Sequence, residues 1–164
     1  MKKSVAMLTA LLMGLMIFAA CADHPVPPPS APQAFRAVLS VQGEGYALQC
    51  DWEQSLPGSA VFRVTEPETL AGLTLTFTGT DCRAAYKGLA TDVFLPAQSF
   101  FRELMEALSV YDELSYADKG GYIETQGRIR TGDFVIRQNE LSGDYQSFML
   151  PHGEAEILSS ENGG

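Results

Sequence analysis

The chain is poor in positive charge: 11 Lys and Arg stand against 20 Asp and Glu in 164 residues, which gives a formal net charge of −9. A protein this acidic does not neutralise phosphates, so we expect no nucleic-acid binding. Charged residues make up only 19% of the chain and hydrophobic residues 46%, a balance typical of a folded domain rather than a disordered segment. The length fits one ordinary domain plus processed or tethering segments.

Residue types that often carry catalysis are also scarce, with two histidines and three cysteines. The sequence has no glycine-rich phosphate loop, no HExxH, no GxSxG and no Cys-x-x-Cys pair. Neither His24 nor His152 is spaced to serve a cysteine or serine as a base. His152, Glu154 and Glu156 alternate, but the proline and glycine that flank His152 favour a solvated turn over a metal site. We therefore expect no enzyme, no metal and no cofactor.

A hydrophobic run long enough for a membrane helix is missing as well. The uncharged stretch Val5–Ala20 has sixteen residues, whereas a membrane span needs about 20. Two lysines precede this run, and the pattern predicts a signal peptide over residues 1–20. Small residues before Cys21 resemble the lipobox of bacterial lipoproteins, although phenylalanine stands where leucine is usual. The resemblance implies a lipidated Cys21 that anchors the chain outside the cytoplasm; a plain signal peptide and a retained anchor are the alternatives.

Proline is concentrated just after Cys21, with five of the nine prolines between Asp23 and Gln33. Such a segment is extended and semi-rigid, and its prolines donate no backbone hydrogen bonds. Residues 21–33 are therefore expected to form a tether at the membrane. We place the folded domain at residues 34–158 and a disordered tail at residues 159–164.

Apolar and polar residues alternate along most of the chain after residue 34, which is the period of a half-buried strand. Glycine-containing turns separate the alternating runs. The pattern predicts strands at Phe35–Val41, Tyr46–Glu53, Ala60–Thr65, Leu73–Thr78, Asp81–Lys87, Gly121–Arg130, Asp133–Gln138, Tyr145–Leu150 and Ala155–Leu158.

The spacing changes between Ser99 and Leu114, where apolar residues form one stripe only on a helix. A lone amphipathic helix among antiparallel strands is expected to lie across the apolar face of a curved sheet, which gives an α+β fold. Such a stripe is more often plain core than the wall of a ligand site. Its residues are Phe101, Leu104, Met105, Leu108 and Tyr111.

The order of these elements resembles one family, the lipoprotein-carrier (LolA-like) superfamily. The matching pieces are the Pro67, Leu70 and Gly72 spacing, a strand pair broken by Gly132, and Glu140-Leu141-Ser142-Gly143 before Tyr145. The resemblance implies a strongly bent antiparallel half-barrel closed by helices, with a cavity that takes acyl chains. The cavity walls that it implies here are Phe62, Leu75, Phe77, Phe101, Leu104, Met105 and Leu108.

Two departures from that family shape the expected function. A carrier of that family usually has a sizeable helix before its first strand, whereas here the tether runs almost directly into Phe35. The lid is therefore expected to be one main helix. A lipidated Cys21 fixes the protein to a membrane, so ferrying across a compartment is not expected. The resemblance implies an anchored envelope protein that binds a lipid or acyl ligand. The alternative is a non-enzymatic scaffold or sensor that binds a partner protein through its sheet, which a filled interior and an exposed edge strand would favour.

With Cys21 lipidated, Cys50 and Cys82 remain as a pair in an exported protein, where disulfides persist. They lie on the second and fifth predicted strands, which are not neighbours in a simple meander. A bridge requires Cα atoms within about 7 Å. A disulfide and two buried free thiols both stay open at this point.

Overall fold

The computed structural model of the chain describes residues 34–110 and 112–162. The expected signal peptide, Cys21, His24 and the tether lie outside the described residues, as does Tyr111. The elements are β1 (Phe35–Gly43), β2 (Tyr46–Leu56), β3 (Ser59–Glu66), β4 (Thr74–Thr78), β5 (Asp81–Tyr86), β6 (Leu89–Val93), α1 (Phe100–Ala107), β7 (Ser115–Asp118), β8 (Tyr122–Ile129), β9 (Gly132–Asn139), β10 (Tyr145–Leu150) and β11 (Gly153–Asn162).

All eleven strands form one antiparallel sheet in the order β6-β5-β4-β3-β2-β1-β11-β10-β9-β8-β7. Strands β1 to β6 form a meander in one direction, and α1 then leads to β7, the opposite edge. Strands β7 to β11 return to the middle, where β11 pairs with β1 from Gly43↔Gly153 to Phe35↔Asn162. Within the described residues, the prediction of a large antiparallel sheet with one helix is confirmed, and the sheet is curved and unclosed.

The sequence prediction missed β6 and β7, the two outermost strands of the sheet. Residues of β6 are exposed except the last, and β7 has only four residues, none of them buried. A strand that faces water on both sides shows no alternation of apolar and polar residues, so period-two patterning does not reveal it.

The domain also extends beyond its predicted end. Strand β11 runs to Asn162 and pairs with β1 over residues expected in a disordered tail. The register between β1 and β11 shifts between Val38 and Leu39. Such a bulge moves the apolar alternation by one position and bends the strand, which explains why the pattern stops at Leu158 although the pairing continues.

The core lies on the concave face of the sheet, where the inward residues of most strands meet α1. Gly127 on β8 shows how closely this interior is packed. A Cβ atom at this position would lie 2.6 Å from the side chains of Leu114 and Phe134. Only glycine leaves room for both side chains.

Helix α1 has eight residues and begins after Ser99. The hydroxyl of Ser99 donates to the carbonyl of Pro96 rather than capping the helix. Phe101, Leu104 and Met105 of the predicted stripe are buried as expected, but α1 ends at Ala107, and Leu108, its C-cap, is only partly buried. The backbone of the helix lies nearest to β8 and β10, and the ring of Phe101 also reaches Phe62 on β3.

Candidate functional site

The structure brings the seven predicted wall residues together between α1 and the sheet. Phe62, Phe77 and Leu75 come from β3 and β4, and their exposed fractions are 0%, 2% and 6%. The helix contributes Phe101, Leu104 and Met105, all buried, and Leu108 packs partly buried against the same cluster. Their role as ligand contacts stays a prediction.

Side chains fill the space between these residues. The ring of Phe62 lies 4.8 Å from that of Phe101 on the helix and 5.8 Å from that of Phe77. Four surface grooves formed by described residues have volumes of about 340 to 700 Å³, and one of the four is lined by a residue of α1, Arg102. None of the four is lined by a predicted wall residue. A ligand in this interior would therefore have to displace the helix or the rings.

Trp52 lies at the centre of an aromatic cluster next to these residues, and only 1% of it is exposed. Its indole stacks between Phe62, at 5.6 Å, and Tyr145, at 6.0 Å between ring centroids. Phe35 and Phe148 approach edge-on at 4.4 and 5.7 Å. The indole N–H is buried and has no hydrogen-bond partner.

The helix is attached to the sheet through a buried carboxylate, Glu103, whose exposed fraction is 0%. Its Oε2 accepts the backbone N–H of His152 at 3.1 Å, and its Oε1 lies 2.6 Å from His152 Nδ1. His152 belongs to the turn between β10 and β11. His152 lies in an exposed turn, as predicted, and the structure adds that its ring pairs with the helix.

Further contacts tie α1 to the same end of the sheet, called here the pinned end: the turns between β1 and β2, β8 and β9, and β10 and β11. One helical turn after Glu103, Glu106 accepts the backbone N–H of Arg130 at 3.0 Å. The charge of Glu103 also acts on Tyr46, the first residue of β2 at this end of the sheet. Burial, and then this negative charge, raise the pKa of the Tyr46 hydroxyl. The helix is thus held through carboxylates at one end of the concave face.

Sequence reasoning missed Glu103 because an acidic residue within an apolar stripe gives no local signal of burial. Its partner His152 lies 49 positions away along the chain. Sequence spacing does not bring these two residues together; only the return of β10 and β11 to the middle of the sheet does so.

Cys50 and Cys82 are both free and buried, so the structure contains two thiols rather than the disulfide. Strands β3 and β4 lie between the two cysteines, which corresponds to about 14 Å along the sheet. The two cysteines also lie at different levels along the strands. Cys50 pairs with Val64 on β3, whereas Cys82 pairs with Phe77, which is opposite Ala60 on β3. This separation is beyond the reach of a bridge.

We expect Cys50 to react very slowly with alkylating reagents in the folded chain. Burial, and then the charge of Asp51, raise the pKa of its thiol from 9.0 to about 12. The reactive thiolate is therefore roughly 10³-fold rarer at pH 8 than in the unfolded chain. Iodoacetamide labelling with peptide mass spectrometry, with and without urea, measures this protection. Equal labelling rates in the two conditions would contradict the burial of Cys50.

The same shift gives a pH dependence of stability. The folded chain favours the neutral thiol. The contribution of Cys50 to the free energy of unfolding is therefore complete below pH 9 and is lost as the pH rises toward 12. Cys50→Ala provides the control, since it should remove this part of the alkaline destabilisation.

No helix in residues 34–110 and 112–162 has the length and apolar character of a membrane span. Within the same residues, no group of three or more His, Cys, Asp or Glu side chains is arranged to hold a metal ion.

No protein-family model and no curated protein sequence matches the chain. Its structure is similar to an uncharacterized conserved protein from Thermus thermophilus, with TM-score 0.53, 8% identity, and 81% of this chain and 80% of that chain covered. A LolA superfamily protein from Nitrosomonas europaea (TM-score 0.45, 7% identity, 85% and 90% covered) is also similar. So is a putative outer membrane lipoprotein-sorting protein domain from Vibrio parahaemolyticus (0.44, 6%, 80% and 86%).

These likenesses concern the fold alone, because the identities are 6% to 8%. A LolA superfamily protein is among the structures to which this chain is similar.

Proposed function

We propose that this protein binds the acyl chain of a lipid between α1 and the concave face of the sheet, while a lipid on Cys21 anchors it to a membrane. One observation carries the binding proposal. In the part of the chain that the structure describes, a continuous apolar interior lies between an unclosed sheet and one helix of eight residues, whose buried carboxylate contact is at one end. Such a cover can be displaced without breaking the strand pairing that holds the domain together.

The energetics of this exchange favour long chains. Displacing α1 exposes its four large apolar side chains, Phe100, Phe101, Leu104 and Met105. Burial of such side chains contributes about 1.5 to 3 kcal/mol each, so their exposure costs about 6 to 12 kcal/mol. A palmitoyl chain with about 14 CH₂ groups regains about 11 kcal/mol, whereas an octanoyl chain regains only about 5 kcal/mol. The palmitoyl chain therefore offsets most or all of this cost, whereas the octanoyl chain does not.

We expect 1-palmitoyl-glycerophosphocholine to bind at least about 100-fold more tightly than 1-octanoyl-glycerophosphocholine, which has the same headgroup. Isothermal titration calorimetry below the micelle concentration measures both affinities, and native mass spectrometry gives the stoichiometry. A serine in place of Phe94, whose side chain is 84% exposed, provides the control and should leave both values unchanged. Absence of binding, or equal affinity for the two lipids, would contradict the proposal.

The second candidate is a non-enzymatic envelope scaffold that binds a partner protein through its sheet. Two observations favour this candidate: the interior under α1 is filled by side chains, and residues Leu89 to Asp92 of the edge strand β6 are exposed. Leu89 is 79% exposed, and Phe94, just after the strand, is 84% exposed. Exposed edge strands and apolar side chains are features that partner proteins use. Failure of both lipids to bind would favour this candidate.

A further inference from the structure

Trp52 carries the one buried hydrogen-bond donor in its aromatic cluster that lacks a partner among the described residues. Only 1% of the residue is exposed, and its Nε1–H meets no acceptor there. Buried donors in folded proteins are nearly always satisfied, so an orphan of this kind requires an explanation. A ligand that brings an acceptor is one such explanation.

The surroundings of Trp52 restrict the direction from which an acceptor can approach. Phe62 and Tyr145 stack against the indole at interplanar angles of 24° and 19°, so they cover its faces. The N–H lies in the plane of the indole and therefore points along its edge. The rings of Phe35 and Phe148 approach the indole at 81° and 66° to its plane, and an aromatic ring is only a weak acceptor.

The position of Trp52 suits the head of an acyl chain whose tail lies under the helix. In β1, Ala37 is opposite Trp52, and Gly43 is at the pinned end. Six strand residues separate these levels, which corresponds to about 20 Å. A long acyl chain that begins at Trp52 can extend along this path, next to Phe62 and Phe101, toward the pinned end.

We propose that Trp52 donates its Nε1–H to the carbonyl oxygen of the bound acyl group. The ligand class is then acyl esters or amides, rather than ethers or plain hydrocarbons. This inference rests on the proposed function, and it adds the chemical group by which the site distinguishes among long-chain lipids.

The test uses the full chain and two lipids that differ in the carbonyl group: 1-palmitoyl- and 1-O-hexadecyl-glycerophosphocholine. Trp52 is the only tryptophan, so the indole ¹H–¹⁵N resonance needs no assignment. We expect the ester to bind at least about fivefold more tightly than the ether, as satisfying a buried donor implies. The indole proton should move downfield with the ester alone.

Matched variants show whether the N–H causes the preference. Trp52→Phe keeps an aromatic ring without the donor and should bind the ester and the ether equally. Thr125→Val removes another buried polar atom without a partner, the hydroxyl on β8, and should retain the preference. If Trp52→Phe does not fold, the indole resonance of the unaltered chain still decides the outcome.

The possible results separate this inference from the proposed function. Equal affinity for both lipids with an unmoved indole resonance overturns the role of Trp52 and leaves acyl binding intact. An ester preference that persists in Trp52→Phe also overturns it, because the preference then does not depend on the indole N–H. If neither lipid binds, the proposed function fails, and this inference fails with it.

Discussion

Replacing His152 with alanine is expected to lower the free energy of unfolding by about 3 kcal/mol. The variant leaves the fully buried Glu103 carboxylate with the backbone N–H of residue 152 alone. A hydrogen bond to a charged group contributes about 1.5 to 3 kcal/mol, and the upper end applies when the charge that loses its partner stays buried. Water can replace part of the contact, because the His152 side chain is 38% exposed. Urea unfolding followed by circular dichroism measures the change.

Glu106→Gln is the matched control on the same helix. Glu106 also accepts a backbone N–H from a turn, but its contact is exposed, so we expect a loss below about 1 kcal/mol. Hydrogen exchange of α1 should accelerate in His152→Ala and remain nearly unchanged in Glu106→Gln. Similar losses in the two variants would show that the Glu103 pair does not fasten the helix.

The Glu103 pair also affects the proposed ligand exchange. Displacement of α1 breaks the contacts of Glu103 with His152, so the pair adds to the cost of opening. A helix that is fastened less tightly should admit the acyl chain at lower cost, and His152→Ala should bind 1-palmitoyl-glycerophosphocholine more tightly than the unaltered chain. Stability and affinity then change in opposite directions, as expected for a cover that a ligand displaces.

Phe62→Ala is expected to destabilise the domain by about 3 to 5 kcal/mol, the usual cost of removing a buried phenylalanine ring. Phe62 is 0% exposed and contacts rings from three elements: Trp52 on β2, Phe77 on β4 and Phe101 on α1. Its loss leaves a cavity where the helix meets the sheet. Urea unfolding followed by Trp52 fluorescence measures both the stability and the packing around the indole.

Phe94→Ala removes the same ring from an exposed position and serves as the comparison. Phe94 is 84% exposed, and the guanidinium of Arg102 lies 4.9 Å from its ring. We expect a loss below about 1 kcal/mol. If Phe62→Ala were no more destabilising than Phe94→Ala, the interior under α1 would not be the close-packed core that the structure contains.

Patterning predicted much of the fold, because a half-buried strand or helix shows its inward face in its own sequence. Nine of the eleven strands and the helix were predicted in this way. The exposed edge strands β6 and β7 have no inward face to display, and the bulge between β1 and β11 interrupts the alternation before Asn162. These elements are held by pairing with neighbours, which local periodicity does not record.

The candidate site was predicted in part for the same reason. Phe101, Leu104 and Met105 form a stripe that only a helix buries together. The burial of Glu103 depends on the turn of His152, and the isolation of the Trp52 N–H depends on what surrounds it. Both are properties of side chains from distant parts of the chain.

The amino-acid sequence alone determined the acidic charge, the inward face of most strands and the apolar stripe of α1, since each depends on composition or on residues a few positions apart. The tertiary structure decided which strands end the sheet, that β11 joins β1, that both thiols stay free, and which buried polar groups find partners. Those outcomes depend on residues far apart in the chain, and only the complete arrangement of the sheet brings them together or keeps them separate.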